Sequence, residues 1–504
     1  MIMAGAVNTF VVAGSFAFYT LVIIGVGLYS ARFARISDED YFLAGRSLGR
    51  WVAALSASAS SESGWVTLGL VGLAFASGVS AYWIAPGCLL GFIFNWFVLA
   101  GRMLDRSRAL SALTLPDFFS FHFKERWPLL RLLSVTVILV AMLLYVSAQL
   151  AAAGKAFAAT FDVPYQAGVF IGAGVVLVYT VLGGFRAVCW TDFLQALLMV
   201  GALVVFPIYL LATQGGYGFI AEQLAHVDGG ALLRFTPDKG GFALLGFLLG
   251  SGALGINFGY PGQPHVLVRF MALKDRREAR IAGVISVVWG IFVYWGAVTV
   301  GLMARAMTEA GAEWGQVMLG SETKRELSLV LSAMHMLPGV MAGLVLAAVL
   351  AAICSTADSQ LVVAASSVAN DLYSRLISRA KASSHLMINR LVVLGIGLGA
   401  MVLVMDEDVN VYNYVLSYGW AIMGAAFGPQ VILILLWKRA SYAGCLAGMF
   451  AGFATALIWK LTYGAGVHEI EIYNLPIAFV AALVINVSVS LGVPGAGSPA
   501  RRSS

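Results

Sequence analysis

The stretch "LSASASSESGW", residues 55–65, sets a glutamate among five serines between two apolar runs. Similar polar groups interrupt apolar sequence at three other places. "AAICSTADSQ" (351–360) carries Ser355, Thr356, Asp358 and Ser359. "GGFRAVCWTDFLQ" (183–195) carries Thr191, Asp192 and Gln195. "GSGALGINFGYPGQPH" (250–265) is rich in glycine and holds Pro261 and Pro264. Hydroxyls, carboxylates and exposed backbone carbonyls are the ligands of hard cations. Ser355 meets Asp358 at i,i+3 and Ser359 at i,i+4, so these oxygens share one helix face, with Thr356 on its rim. The plainer alternative for these hydroxyls is a bond back to their own helix. For Asp192 it is a helix cap, or an ion pair with Arg186.

The elements that hold these groups follow from composition. The 504 residues are 60% hydrophobic and 11% charged, with 56 glycines. A soluble domain carries about 25% charged residues, so this is a polytopic membrane protein. A span needs about 20 apolar residues. That criterion gives thirteen candidates, near 8–31, 48–77, 81–101, 128–157, 163–182, 187–213, 241–262, 281–304, 336–369, 388–405, 411–437, 441–463 and 474–492. The first has no basic residue before it and reads as a retained span rather than a signal peptide. The least regular are 48–77 and 241–262, which contain two of the polar interruptions.

With the N-terminus outside, 23 of the 31 Lys and Arg fall in cytoplasmic loops, Arg32, Arg35, Arg269, Arg379, Lys381, Arg501 and Arg502 among them. Only Arg234, Lys239, Arg305, Lys324, Arg325 and Lys460 lie opposite, and Arg131 and Lys155 fall within a span. This is a positive-inside pattern for a cytoplasmic-membrane protein whose C-terminus is inside.

An ionisable group in a span faces protein or water, so Glu62, Asp192 and Asp358 point inward. Serines satisfy backbone groups where a helix unwinds, and 57–63 reads as a broken helix. Two such breaks, in corresponding halves, mark the central site of inverted-repeat transporters. If the first span is peripheral, the breaks fall in the first and sixth of ten core helices. The expected fold is therefore all-α, with about 13 transmembrane helices and an inverted five-plus-five repeat. Its parts are 1–47 (peripheral helix and loop), 48–213 and 241–437 (the two repeats), and 438–504 (two peripheral helices and a tail). Cys88, Cys189, Cys354 and Cys445 lie in apolar runs and read as buried small hydrophobes. There is no G-x-S-x-G, P-loop or H-E-x-x-H, and the six histidines do not cluster, which speaks against an enzyme.

The segments "SESGW", "NWFVLAGR", "ALTLPDFF", "GGFRAVCWTDFLQ", "GYPGQPHVLVRFMA", "AAICSTADSQLVVAASSVANDLY" and "GAAFGPQVILILLWKR" resemble, in order, those of the sodium:solute symporter family, most closely its sodium/proline branch. The resemblance implies a Na⁺ site built from the carbonyls of Ala59, Glu62 and Ala352 and the side chains of Ser355 and Thr356. It implies a second Na⁺ site, found in some relatives, at Asp192, Ser355, Asp358 and Ser359. It also implies a substrate pocket at Trp65, Tyr145 and Tyr260, near Pro264. Two positions depart from the branch pattern. Ser61 stands where that pattern has Asp, with the acid one place later at Glu62. Ile256 stands where it has Trp. Glu62 and Ile256 are therefore candidate substrate contacts. The implied activity is Na⁺-coupled uptake of a small amino acid, L-proline first. The alternatives are a Na⁺- or H⁺-driven symporter for another small carboxylate-bearing solute, or a membrane solute sensor. Nothing in the sequence suggests nucleic acid or an obligate protein partner.

Overall fold

The computed structural model describes residues 9–30, 37–182, 184–236, 241–377, 382–464 and 472–493. Gly183, Arg32, Arg35, Lys239, Arg379, Lys381, Arg501 and Arg502 of the sequence reading lie outside these residues, as does most of the tail. The main helices are α1 (Thr9–Ser30), α2 (Arg50–Ser61), α3 (Ile84–Ile93), α4 (Leu115–Phe123), α5 (Leu129–Phe161), α6 (Tyr165–Leu182) and α7 (Phe185–Val200). They continue with α8 (Pro264–Ala272), α9 (Arg276–Glu309), α10 (Gly339–Ser366), α11 (Ala382–Leu403), α12 (Ala421–Leu436), α13 (Tyr442–Gly464) and α14 (Asn474–Gly492). Among the described residues, nine helical stretches are long and apolar enough to cross a membrane. Tyr165–Val178 and Met387–Leu403 are shorter apolar helices.

The protein is an all-helical, multi-pass membrane protein. Large apolar side chains cover its outside: Phe170, Phe292, Leu398, Val402, Phe450 and Val484 are all exposed. In water such a surface would drive aggregation; in a bilayer it faces acyl chains. The four cysteines are buried, as expected of small hydrophobes.

Both irregular spans are broken. α2 stops at Ser61. Glu62 leaves the helix (φ −104°, ψ 78°), and the chain resumes as a wide π-turn over Trp65–Leu70. The break is thus confined to 62–64, shorter than the 57–63 read from sequence, because Ser56 to Ser61 keep their helical backbone. Gly64 is needed at the break: a Cβ there would stand 2.9 Å from the Ala152 methyl. The second break is longer. A helix over Gly241–Leu248 gives way to a 3₁₀ segment over Leu254–Gly262, and α8 starts afresh at Pro264. Proline at the first helical position costs no hydrogen bond, since that N–H has no partner in any helix.

α2 is central. It packs on α7, α9, α10 and α8. The start of α2 and the end of α8 are clipped together: the Leu48 N–H donates to the Ala272 carbonyl (3.1 Å) and the Lys274 N–H to the Leu48 carbonyl (3.1 Å). Asp275 then caps α9, accepting from the Glu278 N–H at 2.8 Å. That bond holds the Asp275 carboxyl below the usual carboxylate range.

Candidate functional site

Ending a helix orphans its last carbonyls. At the end of α2 the Ser58 carbonyl still accepts from the Glu62 N–H (2.9 Å), and its neighbours find side chains. The Ala57 carbonyl accepts from the Ser61 hydroxyl (2.8 Å), and the Ser61 carbonyl from the Trp65 indole N–H (2.8 Å). Between them, the Ala59 carbonyl accepts from the Ser355 hydroxyl (3.1 Å) and the Thr356 hydroxyl (3.4 Å). The Ser60 carbonyl accepts from Thr356 (3.2 Å). Ser355 also reaches the Ala352 carbonyl on its own helix, at 3.1 Å. Two carbonyls of the broken helix, one carbonyl of α10 and two hydroxyls therefore converge. All the residues concerned are fully buried. Such a dry cluster of neutral oxygens is suited to a small hard cation and to nothing bulkier. Four of the five residues implied for the Na⁺ site, Ala59, Ala352, Ser355 and Thr356, meet there. Glu62 follows directly along the chain.

The Glu62 side chain turns away from this cluster. It accepts a hydrogen bond from the Trp289 indole of α9, with Tyr294 beside it, and its other oxygen has no partner. Glu62 is fully buried.

The candidate substrate residues fall into two groups. Trp65 lies 6.4 Å, ring to ring, from Tyr294 and from Tyr412. Tyr260 shares a hydroxyl–hydroxyl bond with Tyr294 (3.1 Å) and packs edge-on against Phe92 and Trp420. Ile256 is buried beside them, and its carbonyl accepts from the Trp420 indole at 3.1 Å. An aromatic ring therefore does reach Ile256, supplied by the segment before α12 rather than by residue 256 itself.

Tyr145 and Gln149, one turn apart on α5, lie against the break. Gln149 accepts from the Gly64 N–H at 3.0 Å, and Tyr145 stands by Ser63 and edge-on to His265. The Tyr145 hydroxyl, the Gln149 amide nitrogen and both His265 ring nitrogens are buried without partners. Native proteins leave few such atoms, and here they cluster where polar cargo would satisfy them. Pro264 sits apart. It lines a separate cleft with Phe42, Leu113, Ile138, Phe185 and Val268.

The third group centres on Asp192. It does not pair with Arg186, which instead binds Asp40 and the Ala44 carbonyl. Its partner is Arg269, whose Nη2 lies 2.9 Å from the carboxylate and 2.5 Å from the Ser359 hydroxyl. Arg269 is fully buried, which corrects its placement in a cytoplasmic loop. The signal was available: a helix starting at Pro264 carries residue 269 in its second turn. Thr191 bonds back to the Ala187 and Val188 carbonyls and takes no part. Asp358 is buried on the same helix as Ser355 and Ser359.

Sequence reasoning placed Arg131 and Lys155 within a span but gave them no partners. Lys155 donates to Glu326 and to the Val409 carbonyl, both at 2.6 Å, and Glu326 in turn accepts from the Tyr412 N–H. Arg131 bridges Asp117 of α4 and Asp371.

A family model for "Sodium:solute symporter family" matches residues 41–452. The chain belongs to that family. It is a transporter rather than an enzyme, and Na⁺ is its coupling ion. It is 37% identical over 459 residues to the sodium/proline symporter of Escherichia coli, covering 90% of this chain and 89% of that one. It is 36% identical over 485 residues to the osmoregulated proline transporter OpuE of Bacillus subtilis, covering 95% and 94%. The high-affinity proline transporter PutP of the same organism is 37% identical over 460 residues, covering 90% and 92%. Among solved structures, a Na⁺-coupled sialic acid symporter in a substrate-bound outward-open state superposes with a TM-score of 0.77. The sequence identity is 17%, over 96% of this chain and 98% of that one. That likeness is one of fold.

Proposed function

We propose that this chain couples inward Na⁺ movement to uptake of L-proline across the cytoplasmic membrane, with its N-terminus outside. The observation that carries the coupling site is the convergence of the Ala59 and Ala352 carbonyls with the Ser355 and Thr356 hydroxyls. Na⁺ takes these oxygens as ligands, with the Glu62 carbonyl completing the set. Because Ala59 and Glu62 flank the end of α2 and Ser355 and Thr356 belong to α10, the ion ties the broken helix to an unbroken one. Ordering 62–64 in this way positions Trp65, the next residue along the chain.

The solute lies against the break, among Trp65, Tyr145, Ile256 and Tyr260. Aromatic faces suit both a pyrrolidine ring and its ammonium. The unpartnered oxygen of Glu62 is a further acceptor for that ammonium. Pro264 acts by starting α8, so it shapes the second break rather than touching the solute. The two breaks lie in segments 48–213 and 241–437, which we take as the inverted repeats whose relative motion alternates access. The names borne by the three relatives, at 36–37% identity over nearly the whole chain, support proline.

The test is uptake of radiolabelled L-proline by proteoliposomes under an inward Na⁺ gradient, with K⁺ and pH-gradient controls. Na⁺-dependent uptake, competed by unlabelled proline and not by other amino acids, is the expected result. If Na⁺ raises the unfolding temperature but no proline enters, the substrate assignment is wrong. Glu62 and Ile256 are then the positions at which to seek the altered preference.

A further inference from the structure

The Gln149 amide is bonded at only one of its two ends. Its Oε1 accepts from the Gly64 N–H at 3.0 Å. Only an amide oxygen can accept from a backbone N–H, so this bond fixes how the group points: oxygen toward the break, NH₂ away from it. Nε2 has no partner, and Gln149 is fully buried. One turn earlier on α5, the Tyr145 hydroxyl is also buried without a partner. His265 of α8 stands edge-on to Tyr145, 6.1 Å ring to ring, with both ring nitrogens unpartnered. Unpartnered buried polar atoms are costly and few in native proteins, yet two helices bring several of them together here. The acid nearest in the chain does not satisfy them: the Glu62 carboxylate turns to Trp289 of α9.

We propose that Gln149 reads the carboxylate of the solute: Nε2 donates to a carboxylate oxygen while Oε1 keeps the Gly64 N–H, and the Tyr145 hydroxyl donates to the same carboxylate. This deepens the reading of the chain as a proline transporter, and rests on it. The pocket then has two chemically distinct ends. Glu62 and the aromatic faces take the ammonium; neutral donors on α5 take the carboxylate. Neutral donors suit a dry site that empties in every cycle, because a buried cation would be left without its countercharge whenever the solute departed. The two bonds of the amide also reinforce each other. An amide whose N–H donates to an anion is polarised, and its oxygen becomes a better acceptor. A bound carboxylate therefore tightens the tie between Gln149 and Gly64, and so helps to order 62–64, the same short segment that Na⁺ orders from α10. A solute without the carboxylate leaves the amide and the hydroxyl buried and unsatisfied, which is how a polar site rejects an analogue.

The test compares L-proline with L-prolinamide, whose NH₂ puts a donor where the carboxylate has an acceptor. Binding to the purified full-length protein, at saturating Na⁺, is followed by unfolding temperature over a series of each ligand. Wild type should bind proline about 10–100-fold more tightly than the amide, the range for a hydrogen bond to a charged group; equal binding of the two overturns the proposal. In Gln149→Met, proline should weaken by about that factor and prolinamide by much less, so the ratio collapses. Losing the tie to Gly64 weakens both ligands alike and cancels in the ratio. A Gln149 that only braces the break therefore leaves the ratio at its wild-type value, and that result overturns the proposal. Tyr145→Phe removes a hydroxyl that has no partner in the structure, so it should fold as wild type does and also lower the ratio. If Gln149→Met does not fold, an unchanged ratio in Tyr145→Phe overturns the proposal in its place. The wild-type control separates the two readings. Protein that binds neither ligand overturns the proline assignment and this inference with it, whereas proline binding with an unchanged ratio in the variants overturns this inference alone.

Discussion

Replacing Ser355 with Ala, or Thr356 with Val, tests the Na⁺ site most directly, since each change removes a hydroxyl and little volume. In the structure Ser355 donates to two carbonyls at 3.1 Å, and Thr356 donates to two at 3.4 and 3.2 Å. When Na⁺ enters, those hydroxyls and carbonyls turn their lone pairs to the ion, so each variant loses an interaction in both states. In the ion-free state the loss is a neutral hydrogen bond, about 0.5–1.5 kcal/mol net; in the bound state it is an interaction with a charge, about 1.5–3 kcal/mol. The difference, about 1–2 kcal/mol, is a rise of roughly 5–30-fold in the Na⁺ needed for half-maximal uptake. Ser355→Ala should stand at the upper end because its contacts are the shorter. Maximal uptake at saturating Na⁺ should survive. By linkage, the apparent solute affinity at a fixed, subsaturating Na⁺ should fall as well, by no more than that factor. The assay is uptake in proteoliposomes across a Na⁺ series, paired with unfolding temperature in Na⁺-free buffer. If both variants lose stability without Na⁺ yet keep the wild-type Na⁺ dependence within twofold, the hydroxyls only fasten α10 to α2, and the ion lies elsewhere.

Three further outcomes follow from the same contacts. Lys155→Met leaves Glu326 buried without its cation and should cost about 3–5 kcal/mol, while the double change Lys155→Met with Glu326→Met should recover most of it; unfolding temperatures of the three variants check this, and a double variant no better than the single would refute it. Gly259→Ala would press a methyl into the Trp420 indole, shifting it from the Ile256 carbonyl; overpacking of this kind costs about 1–3 kcal/mol, and solute affinity should fall with Na⁺ binding intact. Trp65→Phe keeps the ring face but leaves the Ser61 carbonyl without its indole donor, so the break should loosen by about 1 kcal/mol; slower uptake with protein of normal abundance is the expected reading, and unchanged kinetics would show that this bond does not hold the break.

Much of this protein is decided within single segments. Twenty apolar residues in a row make a span wherever they stand. A serine run ending in Glu62 and Gly64, or a Gly/Pro run ending at Pro264, interrupts that span through backbone chemistry that needs no neighbour. Ser355, Asp358 and Ser359 share a face because helical spacing puts them there. These features fixed the class, the two breaks and the oxygen-rich face of α10 before any helix was placed against another.

What a residue meets across a helix interface has no such local period. Nothing near Glu62 in the sequence announces Trp289, and nothing near Lys155 announces Glu326, 171 positions away. Arg269 counts as a loop cation by its neighbours Lys274 and Arg276, yet packing α8 against α2, α7 and α10 buries it against Asp192. A buried charge must find its countercharge or pay heavily in lost hydration, and only the assembled bundle determines which acid is near enough. The sequence by itself settled that this chain spans a membrane and sets hydroxyls and carboxylates beside broken helices. The tertiary structure decided which of those oxygens meet one another across α2 and α10 and which are held by an arginine, because both outcomes depend on contacts between helices far apart in the chain.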